Sequence, residues 1–536
     1  MPLSRRDLLK AGLSAATFIV VPEPLLARFG GRWEPAPPIE DPRVKELALR
    51  AIEAARTAGA TYADVRLTHD RGRMFSTPRV AGGIFDQERM AVGARALVDG
   101  YWGFASGPVW DPDEMARLGR EAVHQARVNA AGPERAVELA PAPPVRDGRW
   151  VMPVEIDPFE VSPFEIVDFI RSMYTFVGRT PGFGMYQMTY DATVQEKAFA
   201  SSEGSYITQR VYRSRGDLVI DLSRDGALLD RRALDTLTVA GVGWELFQGQ
   251  PIREQIRRLM EEMQEDQKLP LKPVDVGRYD VVCDALTVSR LLDRTLGEAT
   301  QLDRALGYEA NASGTSFLSD PAGMIGRYQV GASALTVTAN RSDPSGAATV
   351  RWDDEGVAPE PFTLVRDGVV EDFQTTRESA TWLVGGYTKA GRAVRSHGCA
   401  AAPSAISAPM THTPNLAIAP GREATDFDGL VASLEDGLAV KGMKVDLDYQ
   451  GLNGAGSGRV YEVKKGKRVA RIGGAGFLFR APELWKGLVA LGGPDSVRRY
   501  GSIASKGEPP QATYHSVAVP PAVFKQMTVI DPKRKA

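Results

Sequence analysis

The chain has 536 residues, more than a single compact core accommodates, so two or three folding units are expected. Hydrophobic residues make up 43% and charged residues 25%, a balance that excludes a fibrous or wholly disordered chain. A formal net charge of −2 supplies no general pull toward nucleic acid or acidic membranes, so no nucleic-acid partner is expected.

The first residues read "MPLSRRDLLKAGLSAATFIVVPEPLLA". Ser4-Arg5-Arg6-Asp7 followed by an apolar run over 11–21 has the pattern of a twin-arginine signal. That run is too short for a normal membrane-spanning helix and suits the apolar segment of a signal peptide. Export to the periplasm or another extracytoplasmic space by the twin-arginine route is expected, with a signal over 1–27 and no stable membrane span. Pro-rich sequence then makes a linker over 28–42.

A helical period covers 43–60 and should stop at Gly59, while "YADVRLTHD" (62–70) alternates as a strand does. "GARALVDGYWGFASG" (93–107) reads as two strands turning at Asp99-Gly100. A helix with Asp at its start follows over 111–130, completing an N-terminal module at 43–137. A central module at 154–268 opens on the helix "SPFEIVDFIRSMYTFVG", continues in alternating antiparallel strands and closes on a helix at 251–269. From 277 to 530 the pattern is mainly short strands and Gly turns, with a helix opening the stretch 291–318 after the strand-like "RYDVVCDAL" and another at 426–439. "KKGKR" (464–468) reads as a solvated hairpin turn. The fold class is α+β, with N-terminal α/β modules built on antiparallel strands and a β-rich C-terminal domain. Cys283 lies in an apolar strand and reads as a small buried hydrophobe. A disulfide to Cys399 stays open, and no Cys-x-x-Cys pair exists to build a zinc ribbon.

Five segments together resemble one family. "GATYADVRL" with "VGARALVDGYWGFAS", "LDRALGYEANASGTSF", "WDDEGVAPEPFTLVRDGVVEDF", "MTHTPNLAIAPG" and "SKGEPPQATYHSVAVPPAVF" occur in the order found in the TldD/PmbA family of zinc metallopeptidases. The resemblance implies a metal helix carrying His-Glu-x-x-x-His and a late cysteine as third ligand. Two imidazoles and a thiolate suit zinc, with a fourth position open to water, and the glutamate would take that water's proton. Placed on this sequence, the first histidine falls at Asp293, the glutamate at Arg294, the second histidine at Glu298 and the cysteine at Ala504. All four positions are changed, so the zinc of the family is not expected here. Arg294 cannot accept a proton near neutral pH and repels a cation. An Arg294–Glu298 ion pair at i and i+4, with Asp293 beside it, is the expected arrangement.

None of the five histidines is spaced as a ligand pair. His397 stands two residues before Cys399 in a Gly-rich stretch, and His515 follows the Ala504 segment, so both join Tyr308 and Asn311 as candidates for a peptide cleft. "GTSFL" and "GASAL" lack a nucleophile elbow, and no phosphate-binding glycine loop is present. The resemblance implies a dimer, with itself or with a relative, enclosing a cleft for unfolded polypeptide. Two readings follow. One is an exported, zinc-free homologue that binds peptide or serves as the non-catalytic partner of an active relative. The other is a metallopeptidase hydrolysing unstructured peptides at a non-standard metal site built from Asp293, Glu298 and His397 or His515.

Overall fold

A computed structural model describes residues 37–78, 83–131, 136–248 and 251–533. The expected signal at 1–27 and the linker as far as residue 36 lie outside the described residues. Asp41 opens the first helix, α1 (Pro42–Thr57), by accepting the Arg43 amide at 2.9 Å, and Pro42 fills a first-turn position that has no amide to satisfy. The stripe Val44, Leu47, Ala48, Ala51, Ile52 and Ala55 is buried.

Strand β1 (Tyr62–Pro78) runs well beyond the alternating stretch that marks its start. β2 (Gly83–Val98) pairs antiparallel with it and turns into β3 (Tyr101–Gly107). Asp99 and Gly100 both adopt positive φ (51° and 84°), the combination that a two-residue hairpin turn requires. α2 (Pro112–Asn129) is capped by Asp111, which accepts the amides of Asp113 and Glu114. Then come β4 (Gly148–Val151), α3 (Pro163–Gly178), β5 (Phe183–Ser201), β6 (Tyr206–Arg224), β7 (Ala227–Ala233) and α4 (Ile252–Lys268).

The sequence boundaries at 43–137 and 154–268 divide segments that share one seven-stranded sheet, ordered β3-β2-β1-β5-β6-β4 with β7 on β6. β1 meets β2 along one edge, and β5 satisfies the other from Asp64 to Pro78. An unpaired edge of that length would leave a row of amides and carbonyls without partners. From Ile39 onward the described residues form a single compact unit.

In the C-terminal half, β8 (Gly277–Cys283) leads into α5 (Ala285–Leu292). Further strands are β9 (Val337–Ala339), β10 (Phe362–Arg366), β11 (Leu416–Ile418), β12 (Asp436–Leu447), β13 (Asn453–Lys464), β14 (Gly476–Arg480), β15 (Arg498–Lys506), β16 (Gln511–Val519) and β17 (Ala522–Ile530). β12-β8-β17-β14-β13 hydrogen-bond in that order, and β13 pairs back onto β12, closing a small barrel. A second, six-stranded sheet contains β10-β9-β11-β16-β15, with β15 at its edge. α5 lies between the two, touching β12 of the barrel and both β15 and β16 of the sheet. Leu291, Leu292 and Leu296 are fully buried there in one core with Trp485, Val517 and Phe524.

Two sequence readings change. The helix expected over 426–439 stops at Ala432, and the chain becomes strand β12 from Asp436. Leu438, Ala439 and Val440 pair with Val281, Val282 and Cys283, so burial in the barrel overrides local helical pattern. Cys283 and Cys399 are both free and buried, so the disulfide left open by the sequence is not formed. The "KKGKR" turn falls where expected, with Lys465 and Gly466 at positive φ.

The acidic "WDDEG" segment joins the two halves of the unit. Lys197 of β5 donates to Asp354 at 2.9 Å, and Arg95 of β2 donates to Asp64 at 2.6 Å and to Glu355 at 3.3 Å. All five side chains are buried, so each charge requires its partner.

Candidate functional site

The stretch that should carry a metal begins as an ordinary helix. Asp284 caps α5 by accepting the Thr287 amide at 2.9 Å. At Asp293–Gly297 the helix widens into a π turn, a distortion that commonly accompanies functional positions. Thr295 pins this turn. Its hydroxyl donates to the Leu291 carbonyl at 2.5 Å and accepts the Trp485 indole N–H at 2.9 Å.

Asp293 points toward β15 and β16. Its Oδ1 accepts from His515 Nε2 at 2.8 Å, and its Oδ2 accepts the Ser502 hydroxyl at 2.7 Å. Ser502 and His515 are paired directly across the two strands, which places both on one carboxylate. Burial alone would push the Asp293 carboxyl up. His515, Ser502 and the Arg294 charge more than cancel that, holding it below its ordinary 3.8. His515 is fully buried, and its Nδ1 has no partner among the described residues.

Arg294 turns the other way and pairs with Glu298 at i+4. Arg304, nearly buried, approaches the second Glu298 oxygen at 3.6 Å and donates to the Ser313 carbonyl at 2.5 Å. Burial raises the Glu298 carboxyl above its ordinary range, and the two arginines only partly offset this. These three side chains line a cavity of about 100 Å³ with Thr315, Asp448 and Tyr449. The expected Arg294–Glu298 pair is therefore present, whereas Asp293 belongs to a separate network with His515.

Ala504 lies two residues beyond Ser502 on β15, and residues two apart in a strand share a face. Lys506, next on that face, is buried and donates to Asp303 at 2.8 Å and Gln301 at 3.1 Å. The face from Ser502 to Lys506 thus lies against the segment from Asp293 to Asp303, and Ala504 contributes no donor atom to it.

Of the four cleft candidates, only His515 reaches Asp293. Tyr308 and Asn311 are exposed on the turn that follows Arg304, and the Tyr308 ring stacks on Trp382 at 4.7 Å. His397 is buried elsewhere. Its Nε2 meets Asp372 at 3.0 Å, and its ring stacks on Phe362 at 4.0 Å. Asp372 also accepts from Tyr387 at 2.8 Å and Arg392 at 3.1 Å, which makes His397 part of a packed polar cluster. Burial pushes the neighbouring Cys399 thiol up to about 12, away from the thiolate a metal needs. Ser502 and Arg304 went unnoticed in the sequence. The period of two from Ala504 would have indicated Ser502; Arg304 has no local signal, because a turn brings it back.

The residues at the family's metal positions do not fit zinc. Both Asp293 oxygens are engaged, Glu298 faces two guanidinium groups, and alanine offers no ligand. Among the described residues no group of three or more His, Cys, Asp or Glu side chains is arranged to hold a metal ion.

A closed barrel, an edge-exposed sheet and an interposed helix carrying a π turn make up the C-terminal domain. Residues 276–531 match the family model described as the PmbA/TldA metallopeptidase C-terminal domain. A metalloprotease of Methanocaldococcus jannaschii is 22% identical over 406 residues, covering 74% of this chain and 81% of that protein. A metalloprotease of Methanothermobacter thermautotrophicus is 24% identical over 356 residues, 65% of this chain and 69% of that protein. The fold is shared with TldE from Thermococcus kodakarensis, at TM-score 0.67 and 14% identity, covering 91% of this chain and 99% of that one. It is shared also with a candidate modulator of DNA gyrase from Thermotoga maritima, at TM-score 0.68 and 16% identity, covering 91% and 100%. Residues 276–531 thus carry the C-terminal domain of the TldD/PmbA family.

Proposed function

We propose that this chain is a zinc-free TldD/PmbA homologue that binds extended polypeptide and works as the non-catalytic partner of an active relative. One observation carries the reading: where water activation needs a base, Arg294 stands, paired with Glu298. A guanidinium does not accept a proton near neutral pH, and its charge opposes a cation alongside. The His515–Asp293–Ser502 network supports the same reading, since it ties up one of the two carboxylates at ligand positions, while Arg294 and Arg304 face the other, Glu298. β15 supports the peptide role. It is an edge strand beside the altered site, and an extended chain can pair with such an edge through its backbone, with little demand on sequence.

Export by the twin-arginine route is part of the proposal and rests on residues 1–27 alone. Likewise the pairing, with itself or with a relative, rests on family resemblance. No helix among the described residues is long and apolar enough to cross a membrane.

The test is elemental analysis of the purified full chain alongside hydrolysis of an unfolded protein such as reduced casein. The expected outcome is no stoichiometric zinc and no hydrolysis that a chelator abolishes. Stoichiometric zinc with chelator-sensitive cleavage would overturn the proposal in favour of a non-standard metal site.

A further inference from the structure

The free edge of β15 is shorter than the strand. Gly501 and Ser516 face each other across the β15–β16 ladder, yet neither amide donates into it. The Gly501 amide donates to the Thr238 hydroxyl at 2.8 Å, and the Ser516 amide donates to Asn415 Oδ1 at 3.0 Å. Both amides therefore point away from the ladder. In an antiparallel pair this alternates with a period of two, so Ile503 and Ser505 also turn their amides and carbonyls outward.

The edge is closed beyond these residues. At one end the Val239 carbonyl presses on Gly501 so closely that a Cβ there would lie 1.9 Å from it, and Thr238 takes the amide. At the other end the Gly507 amide donates to Glu309 Oε2 at 3.0 Å. Between these stops the Ile503 and Ser505 amides have no hydrogen-bond partner among the described residues, and both residues are exposed. Ala504, between them, turns its side chain to the face shared with Ser502 and Lys506.

We infer that Thr238 and Glu309 act as end stops that restrict peptide docking on β15 to two backbone rungs, at Ile503 and Ser505. This rests on the peptide-binding reading above and narrows its ligand to a short extended stretch that uses two residues, spaced two apart, for pairing. Neither of those residues can be proline, which has no amide to donate. Ile503 favours an apolar or β-branched side chain directly opposite it. The ligand residue between them projects over the face that carries Ser502 and Ala504, beside Asp293.

The experiment uses the purified full chain and a short fluorescein-labelled peptide of alternating valine and serine, with each backbone amide N-methylated in turn. Methylation at two positions spaced two apart should each weaken binding by about tenfold, with little change elsewhere. In parallel, hydrogen exchange should show the Ile503 and Ser505 amides becoming protected on peptide addition, while Gly501 and Gly507 are protected throughout. Binding of the parent peptide with no methyl-sensitive position, or with three or more alternating ones, overturns the two-rung edge and leaves peptide binding intact. If the parent peptide does not bind at all, the two-rung edge and the peptide-binding reading fall together.

Discussion

Asp293→Asn tests the altered site most directly, because it removes one charge and almost no volume. Asp293 accepts two charge-assisted hydrogen bonds, from His515 at 2.8 Å and Ser502 at 2.7 Å, and His515 is fully buried. Hydrogen bonds to charged groups contribute about 1.5–3 kcal/mol each. Asparagine keeps one acceptor oxygen and turns an amide N–H₂ toward the other donor, so a net loss of about 2 kcal/mol is expected. The pH dependence is the sharper measurement. The folded-state carboxyl sits below its ordinary 3.8, so its contribution is fully present above that value and is lost as pH falls through the lower folded value. Urea unfolding midpoints of the two proteins should differ by a constant amount between about pH 5 and 8. They should converge only in stronger acid. An unchanged midpoint at neutral pH, or a gap that widens as pH falls, would refute the argument that His515 and Ser502 hold an ionised carboxylate.

Arg294→Ala should cost no more than about 0.5 kcal/mol, because its side chain is 41% exposed and surface pairs at i and i+4 are weak; a thermal melt checks this. Lys197→Met strands Asp354 in the junction between the two halves and should cost about 3 kcal/mol, read as a lower urea midpoint. Asp354 itself is held at about 2, chiefly because Lys197 and Arg66 outweigh its burial, so its contribution fades only as pH falls from 3.8 through about 2. His412 is buried and held well below its ordinary 6.5, first by burial and then by Lys506 and Arg341. The unfolded chain takes up that proton below pH 6.5 while the folded chain does not. Stability should therefore fall by about 1.4 kcal/mol per pH unit below that point from this group, and His412→Gln should flatten the slope of unfolding midpoint against pH. Combining Asp293→His, Arg294→Glu, Glu298→His and Ala504→Cys should restore stoichiometric zinc, measured on the dialysed protein; failure would refute Ala504 as the match to the family's cysteine.

Much of the architecture is readable without coordinates, for local reasons. Asp41, Asp111 and Ser162 precede apolar periods and cap the helices that follow, and Asp99-Gly100 and Lys465-Gly466 make the turns their residue types favour. The proposed departure from the family's pattern, three ligands at Asp293, Glu298 and Ala504 and the base at Arg294, is read from residue type alone. The Arg294–Glu298 pair is also local, one helical turn apart. The failures are non-local. Residues 433–439 carry a helical pattern, yet the chain is strand from Asp436, where pairing with β8 outweighs that pattern. His397 next to Cys399 suggested chemistry, and only Asp372 and Phe362 reveal a packed cluster.

The chain's order of residues by itself supports the proposal of a zinc-free homologue, since a guanidinium and a methyl group cannot do what the glutamate and cysteine of the family's pattern do. What fills the site was decided only by folding. Asp293 and His515 are 222 residues apart, and the register between β15 and β16 brings His515 opposite Ser502 and onto that carboxylate. The same ladder decides which amides of β15 face outward, because hydrogen-bond direction in a strand depends on its partner's register and not on the side chains it carries.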